Sequence, residues 1–166
     1  ASGRGFGDPL NLLIDLQDGD KIISLYSFKQ EEELIIASKK GYGFIVSFND
    51  LISNRKGGKQ ILNLSNDDHA MSSAKLEGTH IAVIGENKKM VIFAKEDLPR
   101  MTRGKGVKLQ KYKEGNLKSV LSLSYEKGLN IIDKNGRSRN FDDIENWLGK
   151  RGQAGKIVPK GFPRNF

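Results

Sequence analysis

The sequence predicts an all-β fold of repeated four-stranded units, and three observations carry that prediction. Apolar residues fall in short β-rich runs broken by Gly, Asn and Lys, and no segment beyond about ten residues keeps a 3.6-residue apolar period. Three pairs of these runs read as hairpins. An aspartate followed by a large aliphatic residue then recurs as Asp50–Leu51, Asp97–Leu98 and Asp143–Ile144, 47 and 46 residues apart. A period near 45 residues with about four strands is the period of a propeller blade. One such sheet cannot bury both faces alone, so neighbours must stack. A sandwich or solenoid is the competing architecture, but a sandwich has no need of equal spacing.

The elements follow in order. The hairpins are Leu34–Ser38 with Phe44–Phe48, Ile81–Gly85 with Met90–Ala94, and Leu129–Asp133 with Arg137–Phe141. The Asn135–Gly136 pair suits a tight turn with positive φ. An apolar strand closes each unit: Gln60–Leu64, Val107–Tyr112 and Lys156–Val158. Another opens each unit: Lys21–Phe28, Ala70–Leu76 and Leu117–Tyr125. The repeat units are therefore 21–66, 67–114 and 115–160, with 1–20 matching the tail of a preceding unit and 161–166 a C-terminal tail. Together they form one domain of about four blades, its disc open or incomplete. Trp147 is expected to pack within a short helical stretch near Asp142–Leu148.

Four stretches share a basic, glycine-rich character: "SGRGFG" at the start, "NRKGGKQ" at Asn54–Gln60, "TRGKGVK" at Thr102–Lys108 and "GKRGQAGK" at Gly149–Lys156. Gly57 and Gly104 each lie seven residues after the repeating aspartate. Gly152 lies nine after it, on a hairpin two residues shorter. In a blade array, equivalent loops occupy equivalent places on the rim, so these turns would form an arc of positive charge. Glycine lets backbone approach a phosphate closely and offers free N–H groups, while Arg and Lys supply charge. The net charge of +8 and pI near 9.6 point the same way, towards a polyanion. The candidate DNA-contact residues are Arg4, Arg55, Lys56, Gly57, Gly58, Lys59, Arg103, Gly104, Lys105, Lys108, Arg151 and Lys156. Hairpin-tip residues Lys39, Lys40, Lys88, Lys89 and Arg137 are secondary candidates. The competing expectation for both groups is that they simply solvate turns.

Other chemistry has little support in the sequence. There is no cysteine, so disulfides and thiolate metal sites are excluded. The two histidines, His69 and His80, lack metal-ligand spacing. Asp18–Asp20 suits a turn and Glu31–Glu33 a solvated loop. "GRGFG" is not followed by a helical pattern, so a dinucleotide loop is not expected. No run approaches the roughly 20 apolar residues of a membrane span, and the first ten residues lack a signal-peptide core.

The units "GYGFIVSFNDLISNRKGGKQILNL" and "GENKKMVIFAKEDLPRMTRGKGVKLQKY" resemble the C-terminal β-pinwheel of bacterial type IIA topoisomerase A subunits, and "PKGFPRNF" is similar to the end of some topoisomerase IV A subunits. The resemblance spans essentially the whole chain. The gyrase branch carries a box resembling Q-R-R-G-G-K-G. Here Arg55, Gly57, Gly58 and Lys59 fit it, whereas Asn54, Lys56 and Gln60 depart, which favours the topoisomerase IV branch with its degenerate boxes. The resemblance implies a non-catalytic domain of an ATP-dependent enzyme. It would bind and bend duplex DNA with little sequence preference and steer segment capture for decatenation and relaxation. It implies no cofactor in this domain, with ATP and magnesium used on other segments. The implied partners are the remainder of the enzyme's A subunit, together with its ATPase B subunit, with no membrane, in the cytoplasm at the nucleoid. None of Tyr26, Tyr42, Tyr112 and Tyr125 is expected to be the nucleophile. The alternatives are a gyrase A wrapping domain, a propeller scaffold with its basic rim on an acidic protein, and an RNA-binding β module. The last usually stacks bases on exposed aromatics, whereas most Phe and Tyr here alternate inside strand patterns.

Overall fold

A computed structural model describes Ile14 and residues 17–29, 31–164 and 166. The first six strands are β1 (Glu33–Ser38), β2 (Tyr42–Ser47), β3 (Ala70–Lys75), β4 (His80–Gly85), β5 (Lys89–Ala94) and β6 (Val107–Lys108). They are followed by β7 (Leu117–Leu123), β8 (Leu129–Ile132), β9 (Ser138–Phe141) and β10 (Lys156–Ile157). A single helical turn, α1 (Phe48–Leu51), ends the first hairpin, with the Ser47 hydroxyl accepting from the Asn49 N–H.

The three hairpins form as the residue pattern requires. Each turns on a residue of positive φ whose N–H donates back across the turn: Gly41 to Ser38, Lys88 to Gly85 and Gly136 to Asp133. In the third turn the left-handed residue is Gly136 alone, because the Asp133 carboxylate accepts from the Asn135 and Arg137 N–H groups and sets the preceding backbone.

The sheets are four-stranded and antiparallel, in the orders β3-β1-β2-β6 and β10-β5-β4-β7, with β8-β9 as a two-stranded sheet. This is the propeller-like architecture expected, with one difference of detail. The sequence units and the sheets do not coincide. The hairpin β1–β2 takes both its edge strands, β3 and β6, from the unit that follows it. The hairpin β4–β5 likewise takes β7 and β10 from the next unit. Lys21–Phe28 and Gln60–Leu64, expected as strands, are not strands in the structure. They are the counterparts of the borrowed edges β3 and β6, and no earlier hairpin is present among the described residues to accept them. Gln60–Leu64 makes only the isolated bridge Leu62–Gly104.

Packing explains why the strands are apolar on both sides. Alternate residues of a strand face opposite ways. Ile35 and Ala37 of β1 and Ile45 of β2 meet Ile81 and Val83 of β4 and Val91 and Phe93 of β5 in one buried layer. The opposite face of the second sheet, with Ala82, Ile84, Met90 and Ile92, packs on Leu129 and Ile131 of the third hairpin and on Ile144 just after it. Phe162 and Phe166 close that layer. Phe162 stacks on Phe141 with ring centroids 5.7 Å apart. Trp147 is half-buried there in a 3-10 turn (Glu145–Trp147), as its sequence context suggested, and its indole donates to the Ile157 carbonyl at 2.8 Å. Glu33 is not in a solvated loop. It opens β1 and accepts a bidentate pair from Arg100 at 2.6 and 3.1 Å. No helix among the described residues is long and apolar enough to cross a membrane.

Candidate nucleic-acid interface

The borrowed edge strands decide where the basic turns lie. β6 and β10 sit at the edges opposite β3 and β7, and each is preceded by a basic turn. The turns are tied to one another by similar pairs of backbone bonds in two successive repeats. The Gly104 N–H donates to the Ile61 carbonyl at 2.9 Å, and the Asn63 N–H donates to the Gly104 carbonyl at 2.8 Å. One unit on, the Gly152 N–H donates to Leu109 at 2.8 Å, and the Lys111 N–H donates to Gln153 at 3.2 Å. The second and third turns are thus each hydrogen-bonded to the segment that follows the turn before. Three of the four sequence-related turns form a connected series. The fourth, with Arg4, lies outside the described residues.

The turn at Asn54–Gln60 is open. The Gly58 N–H closes it onto the Arg55 carbonyl at 2.9 Å, with Gly58 at φ +77. A side chain at Gly57 or Gly58 would meet nothing within 4 Å. Arg55 and Lys56 are exposed, and their side chains make no hydrogen bond among the described residues. Lys59 is exposed too, but its ammonium donates to the Asp50 carbonyl at 2.7 Å. Arg55, Gly58 and Lys59 share one open depression of about 500 Å³ with Arg103 of the next turn.

The second turn adds an aromatic platform that the sequence did not disclose. Lys105 and Lys108 both stand over the ring of Tyr42, at 4.2 and 4.7 Å from its centroid. β6 brings them there, because Lys108 pairs with Tyr42 across the sheet. The Lys108 ammonium also donates to the Lys40 carbonyl at 2.7 Å, which fixes it beside the hairpin tip.

The third turn is different. The Arg151 guanidinium donates through Nε to the Asp97 carbonyl at 2.7 Å and through Nη1 to the Lys108 carbonyl at 2.8 Å. It staples two elements, and only part of its donor fork faces outwards. Lys150, one residue earlier, is exposed and lines an open depression with Arg151 and Asp97. It was legible in the same Gly-Lys-Arg-Gly stretch. Lys156 is exposed at the start of β10. Among the hairpin-tip residues, Lys88 and Arg137 are exposed, Lys39 and Lys89 are half-buried, and Lys40 is paired with Asp67.

The tyrosines are placed for packing. Tyr26 packs edge-on against Phe48 and bonds Ser73, and Tyr125 lies beside His80. Tyr112 is wedged between two hairpin turns: a Cβ at Gly41 would lie 2.7 Å from its ring and one at Gly85 2.8 Å. Its hydroxyl is buried and has no hydrogen-bond partner among the described residues. Burial, with a smaller contribution from the Glu86 charge, pushes this phenol well above its ordinary range. Among the described residues no cluster of three or more His, Asp or Glu is placed to hold a metal ion.

An antiparallel propeller-like array with a connected cationic perimeter defines the class, and comparison with known proteins narrows it. The sequence model of a family described as DNA gyrase C-terminal domain, beta-propeller, matches residues 32–74 and 80–117. The A subunit of DNA topoisomerase 4 from Caulobacter vibrioides is 47% identical over 164 residues, covering 99% of this chain and 22% of that protein. Its counterpart in Rickettsia conorii is 36% identical over 165 residues, with the same coverage. The chain thus spans about a fifth of the length of these relatives. The solved E. coli ParC C-terminal domain superposes with a TM-score of 0.79 at 26% identity, covering 97% of this chain and 69% of that one. The chain belongs to the family of C-terminal domains of DNA gyrase and topoisomerase IV A subunits, and the Caulobacter and Rickettsia relatives named above are A subunits of DNA topoisomerase 4.

Proposed function

We propose that this chain is the non-catalytic DNA-binding and DNA-bending part of a topoisomerase IV A subunit. Duplex DNA would lie along the series of basic turns, held through its phosphates, with little dependence on sequence. One observation carries this reading: the repeated bonds Gly104–Ile61 and Gly152–Leu109, which link the turns side by side along one edge of the array. Contacts spaced along a curved perimeter favour a bent duplex, since the bend lets more phosphates reach the protein. Arg55, Lys56, Arg103 and Lys105 are the strongest candidate phosphate ligands because all four residues are exposed and their charged groups make no hydrogen bond or ion pair among the described residues. Gly57 and Gly58 leave the backbone open to close approach.

In the whole enzyme such a domain would bend the DNA flanking the cleaved segment and bias which crossing is captured, for decatenation and relaxation. It would work beside the remainder of the A subunit, together with the ATPase B subunit, at the nucleoid in the cytoplasm. Cleavage, ATP and magnesium would belong to those other segments, and this domain would need no cofactor.

The test is fluorescence anisotropy of the 166-residue chain with labelled duplexes of roughly 20 and 60 base pairs, at low and near-physiological salt. The expected result is affinity that rises with length and falls steeply with salt. Absence of binding to either duplex at low salt contradicts the reading and favours a scaffold whose rim meets an acidic protein.

A further inference from the structure

The two ends of the strands carry opposite charge. β1 and β4 run towards hairpin tips that are bonded into one layer. The Leu117 N–H donates to Lys39 at 2.8 Å, the Glu86 N–H to Asn116 at 2.8 Å and the Val158 N–H to Lys88 at 2.9 Å. The buried Gln110 amide donates to both Lys89 and Ala154, at 2.9 and 3.0 Å. This layer joins the first tip, the 110–117 loop, the second tip and the C-terminal tail. It exposes Lys88, Lys111, Lys113, Lys160 and Arg164. Its acids are fewer. Asp67 pairs with Lys40, the buried Asp68 accepts from the Lys40 and His69 N–H groups, Glu86 accepts from Asn116, and Glu114 is exposed beside Lys113. At the other end of the same strands the exposed carboxylates of Glu31, Glu77, Glu96, Asp97 and Glu126 outnumber the cations Lys29, Lys95 and Lys127.

The six-residue strands are about 20 Å long, so a point midway along them lies about 10 Å, roughly a Debye length, from either end. Phosphates are drawn to the cationic end and repelled by the carboxylate end. We propose that the duplex does not stay centred on the rim. It crosses from the basic turns onto the hairpin-tip face, where Lys111, Lys113, Lys160 and Arg164 extend its phosphate track, and the opposite face stays clear of DNA. This rests on the DNA-binding reading above and adds a direction to the path.

The test compares three charge-matched variants of the 166-residue chain by the salt dependence of duplex affinity. The first is a tip-face variant (Lys111→Ala, Lys113→Ala, Lys160→Ala), the second a rim variant (Arg55→Ala, Lys56→Ala, Arg103→Ala). The third removes cations near the carboxylate end (Lys29→Ala, Lys95→Ala, Lys127→Ala). The expected outcome is a fall of about 0.9 in log–log slope for each phosphate no longer held, so roughly 2–3 for the tip-face variant, and about tenfold weaker binding near 0.1 M salt. The third variant should change the slope little. If the tip-face variant binds as the unmodified chain does while the rim variant fails, the oblique path is wrong and the rim reading stands. Equal losses in the tip-face and third variants would reduce the effect to net charge and also overturn the path. If the unmodified chain binds no duplex at low salt, the DNA reading itself falls and the path with it.

Discussion

The basic turns at Asn54–Gln60 and Gly149–Lys156 rhyme in sequence and behave differently in the fold. Gly58 and Gly155 have nearly the same left-handed backbone, φ +77 and +78. Around Gly58 there is open space, whereas Gly155 presses against the Met90 carbonyl of the neighbouring hairpin. Gly106, at φ +80, meets the Gly43 carbonyl in the same way. Arg55 points its charge outwards, while Arg151 spends two donors on backbone carbonyls. A basic glycine turn that the preceding hairpin closes upon becomes a joint between sheets. The Asn54–Gln60 turn meets no such hairpin among the described residues and is a presenting loop there.

The sharpest way to break this comparison is to add a methyl group at both glycines. Gly155→Ala should cost about 2–4 kcal/mol, from left-handed strain plus collision with rigid backbone. Gly58→Ala should cost only about 1 kcal/mol, from the strain alone. Thermal melts of the two variants measure the gap, and equal losses would deny the distinction. Next in size, Arg151→Ala should destabilise by about 1–3 kcal/mol, since two carbonyls lose a charged donor. Arg55→Ala should stay within about 0.5 kcal/mol.

Tyr112 sharpens the picture of the joint between hairpin tips. Its buried hydroxyl has no partner among the described residues, so Tyr112→Phe should be neutral or stabilising by about 1 kcal/mol or less. The phenol is held higher in the folded state than in the unfolded one. Its contribution is therefore fully present below the ordinary tyrosine range, about pH 10, and is lost as pH rises beyond it. Unfolding curves across that range should show a steeper alkaline loss for the unmodified chain than for Tyr112→Phe. The smallest effect concerns Lys88, which sits at φ +61 where the other two hairpins place glycine. Lys88→Gly should gain about 0.5–1 kcal/mol in a denaturant titration.

Much of this was legible in the residues. The Asp50, Asp97 and Asp143 period placed all three hairpins, and glycines such as Gly104 and Gly152 marked the basic turns, because turn chemistry and strand alternation are local. The exchange of edge strands was not legible. Nothing local in Val107–Lys108 says that it pairs with Tyr42 rather than within its own unit. That pairing depends on which hairpin edge is vacant nearby. The same limit hid the site's division of labour. Arg151 and Arg55 have similar flanks, and only the approach of Asp97 and Lys108 turns the first into a staple. Tyr42 beneath Lys105 and Lys108 is likewise a product of register.

The central claim is that the exposed cations Arg55, Lys56 and Arg103 of the first two turns hold DNA phosphates while Arg151 of the third holds the fold. The most direct measurement is the salt slope of duplex affinity for the unmodified chain against the rim variant Arg55→Ala, Lys56→Ala, Arg103→Ala, with melts of both. The expected result is a slope smaller by roughly 2–3 at unchanged stability. An unchanged slope, or a slope that falls only because the variant unfolds, would contradict the claim.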